Sequence, residues 1–94
     1  MQTLTPRVYR GTVSIIHDIL EIIMKHGDVS ISFLIREANI PYVRLKPLID
    51  KLAKSGYIRI LEFSKRIVIT KKGKQLLAQL KIVKKTLSDM GINV

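Results

Sequence analysis

Residues 32–73, SFLIREANIPYVRLKPLIDKLAKSGYIRILEFSKRIVITKKG, decide the fold. The segment reads as a short helix, a tight turn, a second helix and a β-hairpin. Ile31, Leu34, Ile35 and Ala38 have the spacing of one buried helix face, with Ser32 as the expected N-cap. Asn39 suits the left-handed conformation that ends a helix in a tight turn, and Ile40 plugs the angle between the two helices. In the next helix Leu45, Leu48, Ile49 and Leu52 face inward, Arg44, Lys46, Asp50, Lys51 and Lys54 face outward, and Gly56 ends the element. The hairpin is expected to run from Tyr57 to Phe63 and from Arg66 to Thr70. Ile58 and Ile60 alternate with Arg59 and Leu61, and Ile67 and Ile69 with Arg66, Val68 and Thr70. Ser64 and Lys65 fall near its tip.

Upstream, a helix is expected from about Thr12 to His26, closed by Gly27. Its apolar positions Val13, Ile15, Ile16, Ile19, Leu20, Ile22, Ile23 and Met24 cover more than one stripe. A face so wide fits a central helix packed on two sides, or one that also touches a second subunit. Downstream, Thr70 is the expected N-cap of a last helix reaching about Met90, with Gly91 and Ile92 completing its C-terminal cap. Along it Leu76, Leu80, Val83, Leu87 and Met90 recur at alternating spacings of four and three. That two-heptad seam is marginal alone but adequate for a paired helix. The chain therefore divides into an N-terminal arm (1–10), a helix-turn-helix and hairpin domain (11–70) and a C-terminal helix for coiled-coil dimerisation (71–94). The fold class is mainly α with a small β-hairpin.

Ninety-four residues suit a single domain and are too few for two independent cores. Hydrophobic residues make up 47% and charged residues 26%, a globular balance that excludes a disordered basic tail. The formal net charge is +10, and it is unevenly placed. Residues 1–64 hold nine Lys or Arg against six Asp or Glu, whereas residues 65–94 hold eight against one. Such a field attracts polyanions and makes affinity salt-sensitive.

A helix-turn-helix followed by a hairpin wing is the arrangement that places one helix in a DNA major groove. With the charge, it makes double-stranded DNA the leading partner. Arg44 and Lys46, early in the third helix, are the candidates for base edges. Lys51 and Lys54 follow on the same helix, and Lys65 and Arg66 at the wing tip are placed for backbone or minor-groove contact. Tyr42 reads equally as a packing residue or a phosphate contact. Pro47 falls inside this helix, where it cannot donate to the carbonyl of Val43 and is expected to kink or delay it.

Other chemistries lack their residues. No cysteine is present, which removes disulfides, thiolate metal sites and cysteine nucleophiles and fits an intracellular protein. His17 and His26, without Cys or clustered carboxylates, do not make a metal site. Gly73-Lys74 is followed by Gln75 and lacks the upstream glycine of a phosphate-binding loop. Asp18 and Glu21 lie on a solvated face, and no nucleophile has a base beside it. No catalysis, cofactor or small-molecule substrate is expected. Met1 to Arg10 lacks the apolar core of a secretory signal, and every apolar run is too short to span a bilayer. The expected location is cytoplasmic and nucleoid-associated, away from membranes.

Several segments resemble a known family: Asp18-Ile19-Leu20, the Ala38-Asn39-Ile40 turn followed by Tyr42, the Leu52 to Ile58 segment with Gly56, and Ile69-Thr70-Lys71-Lys72-Gly73. They are similar to the small basic winged-helix proteins of crenarchaea, the ten-kilodalton "a" class of chromatin-associated DNA-binding proteins. The likeness runs from about Gly11 to Met90. It implies a homodimer whose C-terminal helices pair as an antiparallel coiled coil holding two winged domains apart, with Leu76, Leu80, Val83, Leu87 and Met90 as the seam. The last helix is short for a long rod of that kind. The function so implied is a low-specificity chromatin or architectural dimer. A sequence-specific transcription regulator stands as the alternative, and a winged-helix module for an acidic protein or structured RNA as an alternative of another class. Asn and Gln are absent from the exposed face of the third helix, which favours low specificity.

Overall fold

The computed structural model describes residues 11–93; the expected arm at 1–10 lies outside the described residues. The elements are α1 (Thr12–His26), β1 (Asp28–Val29), α2 (Ile31–Ala38), α3 (Tyr42–Lys54), β2 (Ile58–Ile60), β3 (Ile67–Ile69) and α4 (Lys71–Asp89). Four helices surround a small antiparallel sheet of order β1-β3-β2, the winged helix expected from the sequence, with the C-terminal helix in place.

α1 is the centre of the core. Ile19, Leu20 and Ile23 are fully buried, and α2 packs on one side of the helix and α4 on another. Leu34, Ile40, Leu45, Ile49, Ile58, Ile67 and Leu77 close over it. α4 is further tied to α1 by a Lys81–Glu21 ion pair at 2.9 Å and by the Lys84 ammonium, which donates to the buried Ser14 hydroxyl at 3.4 Å. The wide apolar surface of α1 is thus used within the protomer, with Val13 and Met24 left partly exposed.

The structure corrects three local expectations. A third strand, β1, pairs with β3 through Asp28↔Val68 and Val29↔Ile67. Two residues, one of them charged, carry no alternation from which a strand can be read. The N-cap of α2 is Ser30, whose hydroxyl accepts the Phe33 amide at 3.1 Å; Ser32 sits inside the first turn. Both serines precede the same apolar face, and the cap falls to the one whose backbone is extended. The paired strands are three residues each, shorter than expected, though Leu61 N–H to Arg66 C=O and Thr70 N–H to Tyr57 C=O extend the ladder by one bond at each end.

Pro47 does not delay α3, which starts at Tyr42 and continues past the proline. The carbonyl that Pro47 leaves without a helix donor belongs to Val43, which is 79% exposed. On so exposed a face water can take the place of the missing donor, so the lost bond does not end the helix.

Candidate nucleic-acid interface

The turn between α2 and α3 is fixed by backbone chemistry. Asn39 adopts φ 55°, ψ 52°, the left-handed region that Asn tolerates best after glycine. The next amide, Ile40 N–H, reaches back to Ile35 C=O, while the Ile40 side chain is buried between the helices. Pro41 follows as the N-cap residue, and its carbonyl accepts from Arg44 and Leu45. α3 therefore leaves the body at a set angle with its first turn outward.

At the other end of α3, Gly56 takes φ +86°, a conformation that a side chain would strain. Its amide bonds Ala53 C=O and that of Tyr57 bonds Leu52 C=O, closing the helix. The segment Thr70-Lys71-Lys72-Gly73 then clamps this end. The Thr70 hydroxyl donates to Gly56 C=O at 2.7 Å and accepts the Gly73 amide at 3.0 Å. The Lys72 ammonium donates to Ser55 C=O at 2.7 Å and lies 4.6 Å from the centre of the Tyr57 ring. Gly73 is buried against the Tyr57 carbonyl, where a Cβ would overlap the oxygen and come within 2.8 Å of Ile69 Cγ1. Lys72 thus caps a helix end, and Gly73 is required by space.

The expected contact residues occupy different situations. Lys51 and Lys54 are exposed on the last turns of α3, with no ion-pair partner among the described residues. Lys46 is held by Asp50 one turn on, at 2.7 and 2.8 Å to the two carboxylate oxygens. That hydrogen bond, with the charge of Asp50, raises the Lys46 pKa above its ordinary value. Arg44 and Lys46 are half-buried on opposite flanks of the helix. The most outward positions of the first turns are Tyr42, Val43 and Pro47, all exposed, so the leading face of α3 is more apolar than expected.

Lys65 and Arg66 also differ. Lys65 is exposed at the wing tip in a left-handed turn, φ 59°. Arg66 is tethered: its Nε and Nη2 donate to Asp28 Oδ1 at 3.0 and 2.8 Å, and Nη2 donates to Asp28 C=O at 3.1 Å. β1 creates this pairing by laying Asp28 opposite Val68, on the same sheet face as Arg66. Nearby, the Phe33 ring meets His26 edge-on at 4.8 Å and has Arg36 6.0 Å from its centre. Sequence reasoning passed over Val43, Arg59 and Phe63. Arg59 is exposed on the outer face of β2, and Phe63 is 95% exposed at the wing tip.

The five seam residues of α4 divide. Leu76 and Leu80 pack partly buried against the protomer's own core beside the buried Leu77. Val83 and Met90 stay exposed and Leu87 half-buried, and Ile82 at 67% exposure and Ile92 extend the apolar surface they form. Heptad spacing alone does not separate a face that packs at home from one that meets another chain. Among the described residues, no group of three His, Asp or Glu is placed to hold a metal ion, and no helix is long and apolar enough to cross a membrane.

The family model for the winged helix-turn-helix matches residues 9–88. The chain belongs to the winged helix-turn-helix family. Among solved structures it is similar to Sso10a-2, a DNA-binding protein from Sulfolobus solfataricus, at a TM-score of 0.76 and 32% identity, covering 86% of this chain and 85% of that one. This bears out the resemblance to small crenarchaeal winged-helix proteins. A search of curated proteins returned no match.

Proposed function

We propose that this chain is a double-stranded DNA-binding protein acting as a low-specificity architectural homodimer. The observation that carries the DNA reading is the exposed surface of α3 and the wing. It presents Lys51, Lys54, Arg59 and Lys65 around an apolar leading turn, with no Asn or Gln on α3 to read adenine edges. The lysines meet phosphates, which carry no sequence information, and Val43 at most meets a thymine methyl. Similarity to Sso10a-2, a DNA-binding protein, supports the same reading. The protein works beside the nucleoid and catalyses no reaction.

Filter binding to unrelated duplexes, an RNA hairpin and heparin across a salt series tests it. Similar affinity for all duplexes with a steep salt slope is expected. A large preference for one duplex would make the protein a regulator, and stronger binding to RNA or heparin would overturn the reading.

Dimerisation is supported by exposed apolar residues, Ile82 and Val83 on the part of α4 that its own core leaves uncovered and Met90 and Ile92 just past its end. Val83→Lys places a charge on that surface without touching the protomer's interior, so it is expected to convert dimer to monomer with folding retained. Analytical ultracentrifugation reads the change. A wild-type chain sedimenting as a monomer at micromolar concentration would end the dimer reading.

A further inference from the structure

We infer that Phe63 is an apolar wedge that enters the DNA minor groove and unstacks one base step, bending the duplex. The inference rests on the DNA-binding reading above and adds to it a residue and a mechanical action. A benzyl side chain 95% exposed to water is contacted by almost nothing in its own protomer, so core packing does not account for it.

The loop that carries the ring is also held by its own hydrogen bonds. Leu61 N–H bonds Arg66 C=O at 2.8 Å, Lys65 N–H bonds Leu61 C=O at 2.9 Å, and Arg66 N–H bonds the Ser64 hydroxyl at 3.2 Å. The tether from Arg66 to Asp28 braces the base of the same loop from the far side of the sheet. A loop so held loses little backbone freedom on insertion, which leaves only the two side-chain torsions of Phe63 to be fixed.

Its neighbours select the occupant. Lys65 lies two residues away with its ammonium unpaired among the described residues, and Arg59 projects from the outer face of β2. Glu62 is the one acidic side chain of the loop, and with Arg66 paired to Asp28 it stands against two cations, Arg59 and Lys65. A cation-flanked aromatic ring suits a groove walled by phosphates. With α3 in the major groove, the hairpin that follows it falls over the adjacent minor groove, about 6 Å wide. An unstacked step opens by about one more stacking interval of 3.4 Å, room for a single ring. Pyrimidine–purine steps open most easily and are the preferred sites.

The test uses the full chain, Phe63→Ala and Phe63→Leu. The probes are duplexes carrying 2-aminopurine beside a central TA step and donor and acceptor dyes at the ends. Wild-type protein is expected to raise 2-aminopurine fluorescence and to bring the ends closer, by a bend between about 20 and 90°. Phe63→Ala is expected to keep its melting temperature and salt slope, to bind roughly tenfold more weakly, and to lose both signals. Phe63→Leu, still a wedge, is expected to retain part of the bend. Wild-type binding with neither signal, or Phe63→Ala giving both at full size, would overturn the wedge alone. Failure of wild-type protein to bind any duplex would instead remove the DNA reading beneath it. A change of oligomeric state in Phe63→Ala would assign the ring to a protein contact and also overturn the proposal.

Discussion

β3 joins two corners of similar hydrogen bonding and opposite exposure. At its C-terminal end Thr70 to Gly73 are locked onto the last turn of α3, with Gly73 buried under the Tyr57 carbonyl. At its N-terminal end Leu61 to Arg66 are crossed by three hydrogen bonds of their own and braced by Asp28, yet Phe63 stands in water. Rigidity is needed in both places, for different reasons. The inner corner holds α3 at one angle to the body, so Gly73 is buried and the polar groups of Thr70 and Lys72 are taken up by partners within the protomer. The outer corner holds a loop in a shape fit to meet something else, so its apolar ring is left uncovered. The difference lies in which atoms lack a partner inside the protomer, and that divides residues serving stability from residues serving binding.

Substitution at Gly73 gives the largest effect and the sharpest contrast. Gly73→Ala forces a methyl into the Tyr57 carbonyl and against Ile69, atoms that belong to the hairpin and do not yield independently. A loss of about 1–3 kcal/mol is expected, each kcal/mol lowering the melting temperature by about 4–8 °C in a domain of this size. Thr70→Ala comes next. It deletes the N-cap of α4 and the bond to Gly56 together, for about 0.5–2 kcal/mol. Phe63→Ala, by contrast, should stay within about 0.5 kcal/mol of wild type. Thermal melts followed by circular dichroism rank the three, and a Phe63→Ala protein as unstable as Gly73→Ala would dissolve the distinction between the corners.

The two basic residues at the outer corner offer a finer test. Lys65 has no described partner, so Lys65→Ala is expected to flatten the slope of log K against log salt by about 0.9, the value of one phosphate contact. Arg66 already has Asp28 as its partner, and Arg66→Ala should flatten the slope by less than half as much while loosening the wing. Equal slopes for the two variants would mean that Arg66 leaves Asp28 on binding.

The inner corner was the more legible of the two. The extent of α1, the turn at Asn39, the end of α3 at Gly56 and the Thr70 cap follow from local patterns of period, turn residue and cap, and the structure repeats them. β1 and the Arg66 tether were not legible, because a two-residue strand has no period and its partner stands 38 residues away in the chain. Phe63 shows the remaining gap. Its apolar side chain reads from sequence like any strand residue, and only the position of the turn reveals that nothing covers it. The seam in α4 is ambiguous likewise: Leu76 and Leu80 pack partly on the protomer's own core, since helical spacing records that a face is apolar and not whose surface it meets.

The last test belongs to α3, where Asp50 holds Lys46 on one flank of the helix. Asp50→Asn keeps the shape and removes both the charge and the bidentate grip. If Lys46 borders the DNA, the released ammonium takes a phosphate, the net charge rises by one, and affinity at low salt should rise a few-fold with a slope steeper by about 0.9. The pH profile helps to isolate this. Asp50 raises the folded pKa of Lys46 above 10.5, so the pairing contributes fully below that unfolded value and is lost only as pH climbs past the raised one. Lys46 therefore stays charged between pH 6 and 9 in both proteins, and the gain should be independent of pH across that window. Filter binding of the two proteins at low and moderate salt reads the difference, and unchanged affinity would place Lys46 off the interface, leaving Lys51, Lys54 and Lys65 to carry the phosphate contacts.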